Sequence, residues 1–111
     1  VIPASLLTHR VARLRPGTTS DAYGNEVPDW SAPDRLDLPA RVEPRSAGED
    51  VIDRDQLTAT HVVWIRPDAD IDGRDRVEFA GRVLEILGPP RHFDTPAGPH
   101  HIELQMREVE G

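Results

Sequence analysis

The residues able to do chemistry are few and scattered. There are five histidines, His9, His61, His92, His100 and His101, and no cysteine. A metal centre needs three or four converging ligands. His100 and His101 are adjacent, so on a strand they point to opposite faces. Only one of them could join His61 or His92, and all five read as surface and loop histidines. The run Asp68-x-Asp70-x-Asp72-Gly73 resembles the start of a calcium-binding loop. The twelfth position of that loop is Phe79, where a bidentate glutamate is needed, and no helix pattern flanks it. It reads as a solvated hairpin turn. Ser5, Ser20, Ser31 and Ser46 lack the strand-turn-helix context of an activated nucleophile. Glu49-Asp50 has no scaffold signal, and there is no glycine-rich phosphate loop. Tyr23 and Trp30 are the right type to stack on a base or ring, and read as aromatics that pin their loop. The sequence assigns no catalytic residue, no cofactor and no metal, and does not read as an enzyme.

The elements that would position such residues are strands. Period-two alternation bounded by Pro, Gly and Asp is the strand signature. It falls on Thr8–Leu14, Pro39–Glu43, Thr58–Arg66, Arg76–Phe79, Arg82–Leu87 and His100–Glu108. In the last, Ile102, Leu104 and Met106 face one way and His101, Glu103, Gln105 and Arg107 the other. Phe79-Ala80-Gly81-Arg82 is a tight hairpin with Gly81 supplying a positive φ. The first strand is expected to stop at Pro16-Gly17. Thr18–Leu38 and Pro89–Pro99 are dense in turn-forming residues and read as long loops. Arg45–Gln56 is polar, lacks apolar periodicity and reads as an exposed loop. About six strands with long loops predict an all-β fold, a small antiparallel β-barrel. Residues 1–7 form an N-terminal arm, and residues 8–111 form a single domain.

Composition narrows the function. The 111 residues carry 11 prolines and 8 glycines, which interrupt long helices, and 37% are hydrophobic. That supports one small core. With no thiols, disulfides and thiolate zinc sites are excluded. No apolar run is long enough to cross a bilayer and no signal-peptide pattern opens the chain, so cytoplasmic synthesis without membrane partners is expected. Every basic residue is Arg, and the formal net charge is -7. Gripping nucleic acid needs a basic face, and this chain offers none.

The order of features resembles a known family. An Arg-rich first strand leads to Asp21-Ala22-Tyr23-Gly24-Asn25 and Trp30. Ala40-Arg41-Val42-Glu43 and a charged loop follow. Then come Thr60-His61-Val62-Val63-Trp64-Ile65-Arg66, Ile71, Asp75-Arg76-Val77, Gly81, Leu84-Glu85-Ile86-Leu87-Gly88 and Leu104-Gln105-Met106. This resembles the head-closure, or head-to-tail stopper, proteins of long-tailed double-stranded DNA bacteriophages, over about residues 8–108. The resemblance implies a β-barrel subunit made in the host bacterial cytoplasm. It would assemble into a ring of six or twelve copies in the virion neck, below the portal and its adaptor protein. The ring would close the filled head, retain the genome and present a platform to a tail terminator or tail-tube protein. Packaged duplex would pass through the lumen without sequence-specific binding. By the same analogy Arg45, Glu49, Asp50, Asp53, Arg54 and Asp55 are candidates for a lumen-facing or inter-subunit loop. Ile2, Leu6, Leu7, Arg91, His92 and Phe93 are candidates for docking on adaptor or tail. The free subunit is expected to be largely monomeric, its loop ordering on assembly. The competing expectations are a tail-completion or minor tail protein of the same machine, or a small ligand- or oligonucleotide-binding barrel using Tyr23, Trp30 and Trp64.

Overall fold

In a computed structural model the chain is described over residues 1–45 and 59–109. After a 3₁₀ turn at Ala4–Leu6, seven strands are present among the described residues: β1 His9–Ser20, β2 Glu26–Pro44, β3 His61–Ile65, β4 Arg76–Phe79, β5 Arg82–Ile86, β6 Arg91–Thr95 and β7 Gly98–Glu108. All pairings are antiparallel. The spatial order is β3-β2-β1-β4-β5-β7, and a β3–β7 pairing joins the two ends. Six strands therefore make a ring of hydrogen bonds, as the all-β expectation required. β6 is an extra strand. It shares one edge of β7 with β5, opposite Glu103 to Gly98, while β5 takes Met106 to Glu108.

The inside of the ring is filled by alternate residues. Val11, Ala40, Val42, Val63, Ile65, Val77, Leu84, Ile102, Leu104 and Met106 form one buried cluster. Cross-strand pairs such as Val63↔Leu104, Ile65↔Ile102 and Val77↔Leu84 place these side chains on one face. Such pairs are the unit of sheet stabilisation. The turn joining β4 and β5 has two central residues, Ala80 (φ 52) and Gly81 (φ 79). Two successive positive φ values suit the right-handed twist of the flanking strands. Gly81 meets that requirement without strain and Ala80 does not.

Three expectations need correction. β1 does not stop at Pro16-Gly17 but runs to Ser20, and Thr18–Leu38 is not a loop. It is the distal half of β1, a short turn and most of a 19-residue β2. The prolines are tolerated because only Ala40–Pro44 of β2 pairs on its second edge, with β3. Where a strand has a free edge, a missing N–H leaves no ladder bond unmade. The ladder also shifts register between Arg15↔Asp34 and Gly17↔Asp29, so that Trp30, Ser31, Ala32 and Pro33 face Pro16 alone. Lastly, Pro89–Pro99 is not wholly irregular: β6 and β7 form a hairpin within it.

Strand polarity fixes where the projections lie. β1 ends, and β2 and β7 begin, at one end of the ring. The β1–β2 hairpin and the β6–β7 hairpin both rise from that end. Going round the ring, β1 and β2 lie opposite β7 and the β5/β6 position. The two hairpins thus stand on opposite walls.

Candidate assembly surfaces

The end of the ring that bears the hairpins is closed by an ion-pair network. Arg13 and Arg15 follow Val11 on the inner face of β1, where alternation would otherwise place apolar residues. Arg13 is 3% exposed. Its Nη2 donates to Asp34 Oδ2 at 2.6 Å, and its Nη1 to Asp70 Oδ2 at 3.1 Å and the Asp70 carbonyl at 3.2 Å. Arg15 Nε and Nη2 each donate to Asp75 at 2.9 Å, a bidentate pair on a carboxylate with no exposed side-chain surface. Asp75 Oδ2 also accepts the Asp72 N–H at 2.9 Å. The Asp75 and Asp70 bonds hold the Arg15 guanidinium firmly protonated, above its ordinary range. Arg15 in turn lowers the Asp70 carboxyl below its usual value. The aspartate-rich turn is therefore not merely solvated. Its carboxylates strap the β3–β4 connection across the mouth of the ring. A carboxylate already saturated by guanidinium donors is a poor cation ligand. Among the described residues no cluster of three His, Asp or Glu is arranged to hold a metal.

The hairpin beyond this plug is an arm. Residues 17–26 are all exposed. Asp21 stiffens the tip: its Oδ1 accepts the N–H of Tyr23 at 2.9 Å and of Asn25 at 3.0 Å, which lowers its pKa. Tyr23 does not pin the arm to the domain. It is 90% exposed at the tip. Trp30 does pin the base, with the Arg76 guanidinium 4.0 Å from its ring centroid. Because Trp30 is on β2 and Arg76 on β4, this contact crosses β1. The Arg35 Nη2 to Glu78 bond at 2.8 Å crosses it too. Together they explain why Ala12 and Leu14, on the outer face of β1, are buried.

The β6–β7 hairpin carries three of the expected docking residues. Arg91 is half-buried and His92 exposed. Phe93 is 42% exposed and stacks on His101, ring centroids 4.8 Å apart. His101 touches His100 through Nδ1 at 2.8 Å, and its Nε2 is buried without a hydrogen-bond partner. Desolvation first, then the neighbouring His100, lower the His101 pKa against the opposing pull of Glu103. The other histidines serve structure. His9 Nδ1 accepts the Val42 N–H at 3.0 Å and the His9 ring meets Phe79 edge-on, while His61 contacts Thr60.

The N-terminal segment docks on its own domain through Ile2 and Leu7, 7% and 8% exposed, while Leu6 is 42% exposed. The Ile2 N–H donates to the His100 carbonyl at 2.7 Å, just past the point where β3 stops pairing with β7. Of the expected lumen loop, Glu49, Asp50, Asp53, Arg54 and Asp55 lie outside the described residues. Arg45, at its root, is placed. Its N–H donates to the Thr60 carbonyl at 2.8 Å, and the Thr60 N–H to Met106 at 2.8 Å. Arg45 Nη1 reaches Gln105 Oε1 at 3.2 Å, and Gln105 Nε2 reaches Glu103 at 2.7 Å. The two ends of segment 46–58 are thus held side by side on a rigid wall. Among the described residues no cluster of His, Asp and Glu converges on a metal site. The structure offers instead a plugged ring, an arm and a free-edged hairpin at one end.

The molecule is a small closed ring of strands with an apolar interior, and its buried ion pairs and loop-root hydrogen bonds lie at its margins. Over residues 2–109 the chain matches the family model described as phage head completion protein, and it belongs to that family. It is also similar to a solved structure, the solution structure of protein SF1141 from Shigella flexneri 2a. The two share 25% sequence identity over 90% of each chain, with a TM-score of 0.58. No curated protein matches it. The chain is accordingly a structural component of phage head completion, a virion protein that works with other head and tail proteins.

Proposed function

We propose that this chain is the head-to-tail connector, or stopper, of a long-tailed phage. On this reading copies form a ring in the neck, beneath the portal and its adaptor protein. The ring closes the filled head, retains the DNA and receives a tail terminator or tail-tube protein. The observation that carries the proposal is the family match across nearly the whole chain. Two physical features support it. The clamp at Arg45 and Thr60 gives segment 46–58 a fixed root from which Glu49, Asp50, Asp53, Arg54 and Asp55 can face a channel or a neighbour. The net charge of -7 suits a passage for duplex, since like charge keeps phosphates from sticking. Leu6, His92 and Phe93 offer exposed surface for adaptor or tail.

Particles assembled with and without the chain test this reading. Filled heads that lose DNA and carry no tails are the expected result. Full, stable heads with altered tails would move the chain to tail completion. Against the ligand-barrel reading, Ile65, Leu84, Ile102, Leu104 and Met106 fill the interior, and Tyr23, Trp30 and Trp64 lie on the β1–β2 turn, β2 and β3 respectively.

A further inference from the structure

The two hairpins match each other in three ways. First, each has an unpaired edge among the described residues. The arm, beyond Arg15 and Asp34, is a two-stranded ribbon with no third strand, and the outer edge of β6 pairs with nothing. A lone two-stranded ribbon is marginal in water, and free edges invite a further strand. Second, they differ in charge. Residues 17–29 hold Asp21, Glu26 and Asp29 and no basic residue, whereas residues 92–101 of the β6–β7 hairpin hold one carboxylate, Asp94, and three histidines that are neutral near pH 7. Third, each carries an exposed aromatic, Tyr23 at 90% and Phe93 at 42%. Exposed Tyr is a frequent interface anchor.

Position adds the decisive constraint. The hairpins stand at the same end of the ring of strands but on opposite walls. Because they stand on opposite walls, the arm of one copy and the β6 of a copy placed beside it come next to each other. A contact between two different surfaces of the same chain is heterologous, and repeating it by rotation closes a ring. We propose that the arm of each copy docks on the β6–β7 hairpin of the next. Tyr23 lies against the Phe93–His101 stack, and the acidic arm lies beside His92. This rests on the ring reading above and specifies which surfaces build the ring.

The absence of cysteine makes the test clean. Particles are grown with the double variant Tyr23→Cys/His92→Cys, and with each single variant, then treated with a short thiol-to-thiol cross-linker. The expected result is a ladder of covalent multimers from the double variant only, ending at the ring number. If imaging counts several copies in the neck but the double variant gives no ladder, the docking assignment is overturned while the ring survives. A ladder or dimer from Tyr23→Cys alone, meaning tip-to-tip contact, overturns it as well. A neck without a ring of this chain overturns the ring reading itself. A charge-reversal series covers the case in which the cysteine variants do not incorporate. His92→Glu, which sets a carboxylate against the acidic arm, should abolish incorporation, and adding Glu26→Arg should restore it. Wild-type incorporation of His92→Glu overturns the proposal.

Discussion

At the scale of single residues the structure turns on Asp75. Its carboxylate is buried and takes both forks of Arg15 and the Asp72 N–H. Removing one partner of a buried charge pair leaves the other uncompensated. Asp75→Asn is expected to lower unfolding free energy by about 3 kcal/mol, the low end of the usual range because Arg15 keeps Asp70. Asp70→Asn should cost far less, since Asp70 is largely exposed and surface pairs contribute little. Denaturant titration of both variants checks the ranking; equal losses would contradict it. His101 gives a pH prediction. Its folded pKa lies below the ordinary 6.5 because its ring is desolvated and faces His100. The unfolded chain therefore takes up this proton first as pH falls. Stability from this group is complete above 6.5 and declines as pH drops through the folded value. Melting midpoints measured from about pH 7 down to about pH 5.5 should fall more steeply in the parent than in His101→Gln. Parallel profiles would show that His101 does not titrate in that window.

At the scale of elements the arm and the ring should separate. From residues 17 to 26 the arm is exposed, and the hydrogen bonds of its tip lie within the arm. Joining Thr18 to Pro28, an existing cross-strand pair, by Asn-Gly in place of residues 19–27 should preserve the ring of strands. The expected stability change is within about 1 kcal/mol, as for surface changes away from packed groups. The shortened chain should nonetheless fail to enter particles. Calorimetry and particle composition read these two effects independently. The same element shows what the sequence disclosed and what it hid. The alternation of Ile102, Leu104 and Met106, the β-branched run before Pro67 and Gly81 in its turn were legible because one face of each strand is packed against the core. The arm was hidden because neither of its faces is buried. Its residues follow turn chemistry instead of a period of two, and its prolines sit where no third strand demands an N–H. The Arg15–Asp75 pair was hidden for a different reason. Their separation of 60 positions makes the contact purely tertiary. The docking candidates were only partly legible. Phe93 and Leu6 are exposed, but Ile2 and Leu7 are spent on their own core.

At the scale of the whole molecule, charge is the variable that the proposed neck role makes testable. The chain combines a net charge of -7 with 13 basic residues, all Arg. Near the mouth of the ring Arg13 and Arg15 are neutralised by Asp34, Asp70 and Asp75, and Arg35 is paired with Glu78. A guanidinium already bidentate to carboxylate has few donors left for phosphate. Two consequences follow for a ring through which duplex moves. The isolated chain should not bind double-stranded DNA even at low salt, where phosphate contacts are strongest. Converting Asp50, Asp53 and Asp55 to asparagine would remove three negative charges from each copy, multiplied by the number of copies in the ring. If that loop borders the channel, release of DNA from purified particles should slow, and the slowing should grow as salt is lowered, because screening weakens with dilution. Fluorescent-dye access to released DNA, timed across a salt series, measures it. Unchanged kinetics at every salt concentration would place the loop away from the channel and leave it as a contact between neighbouring copies.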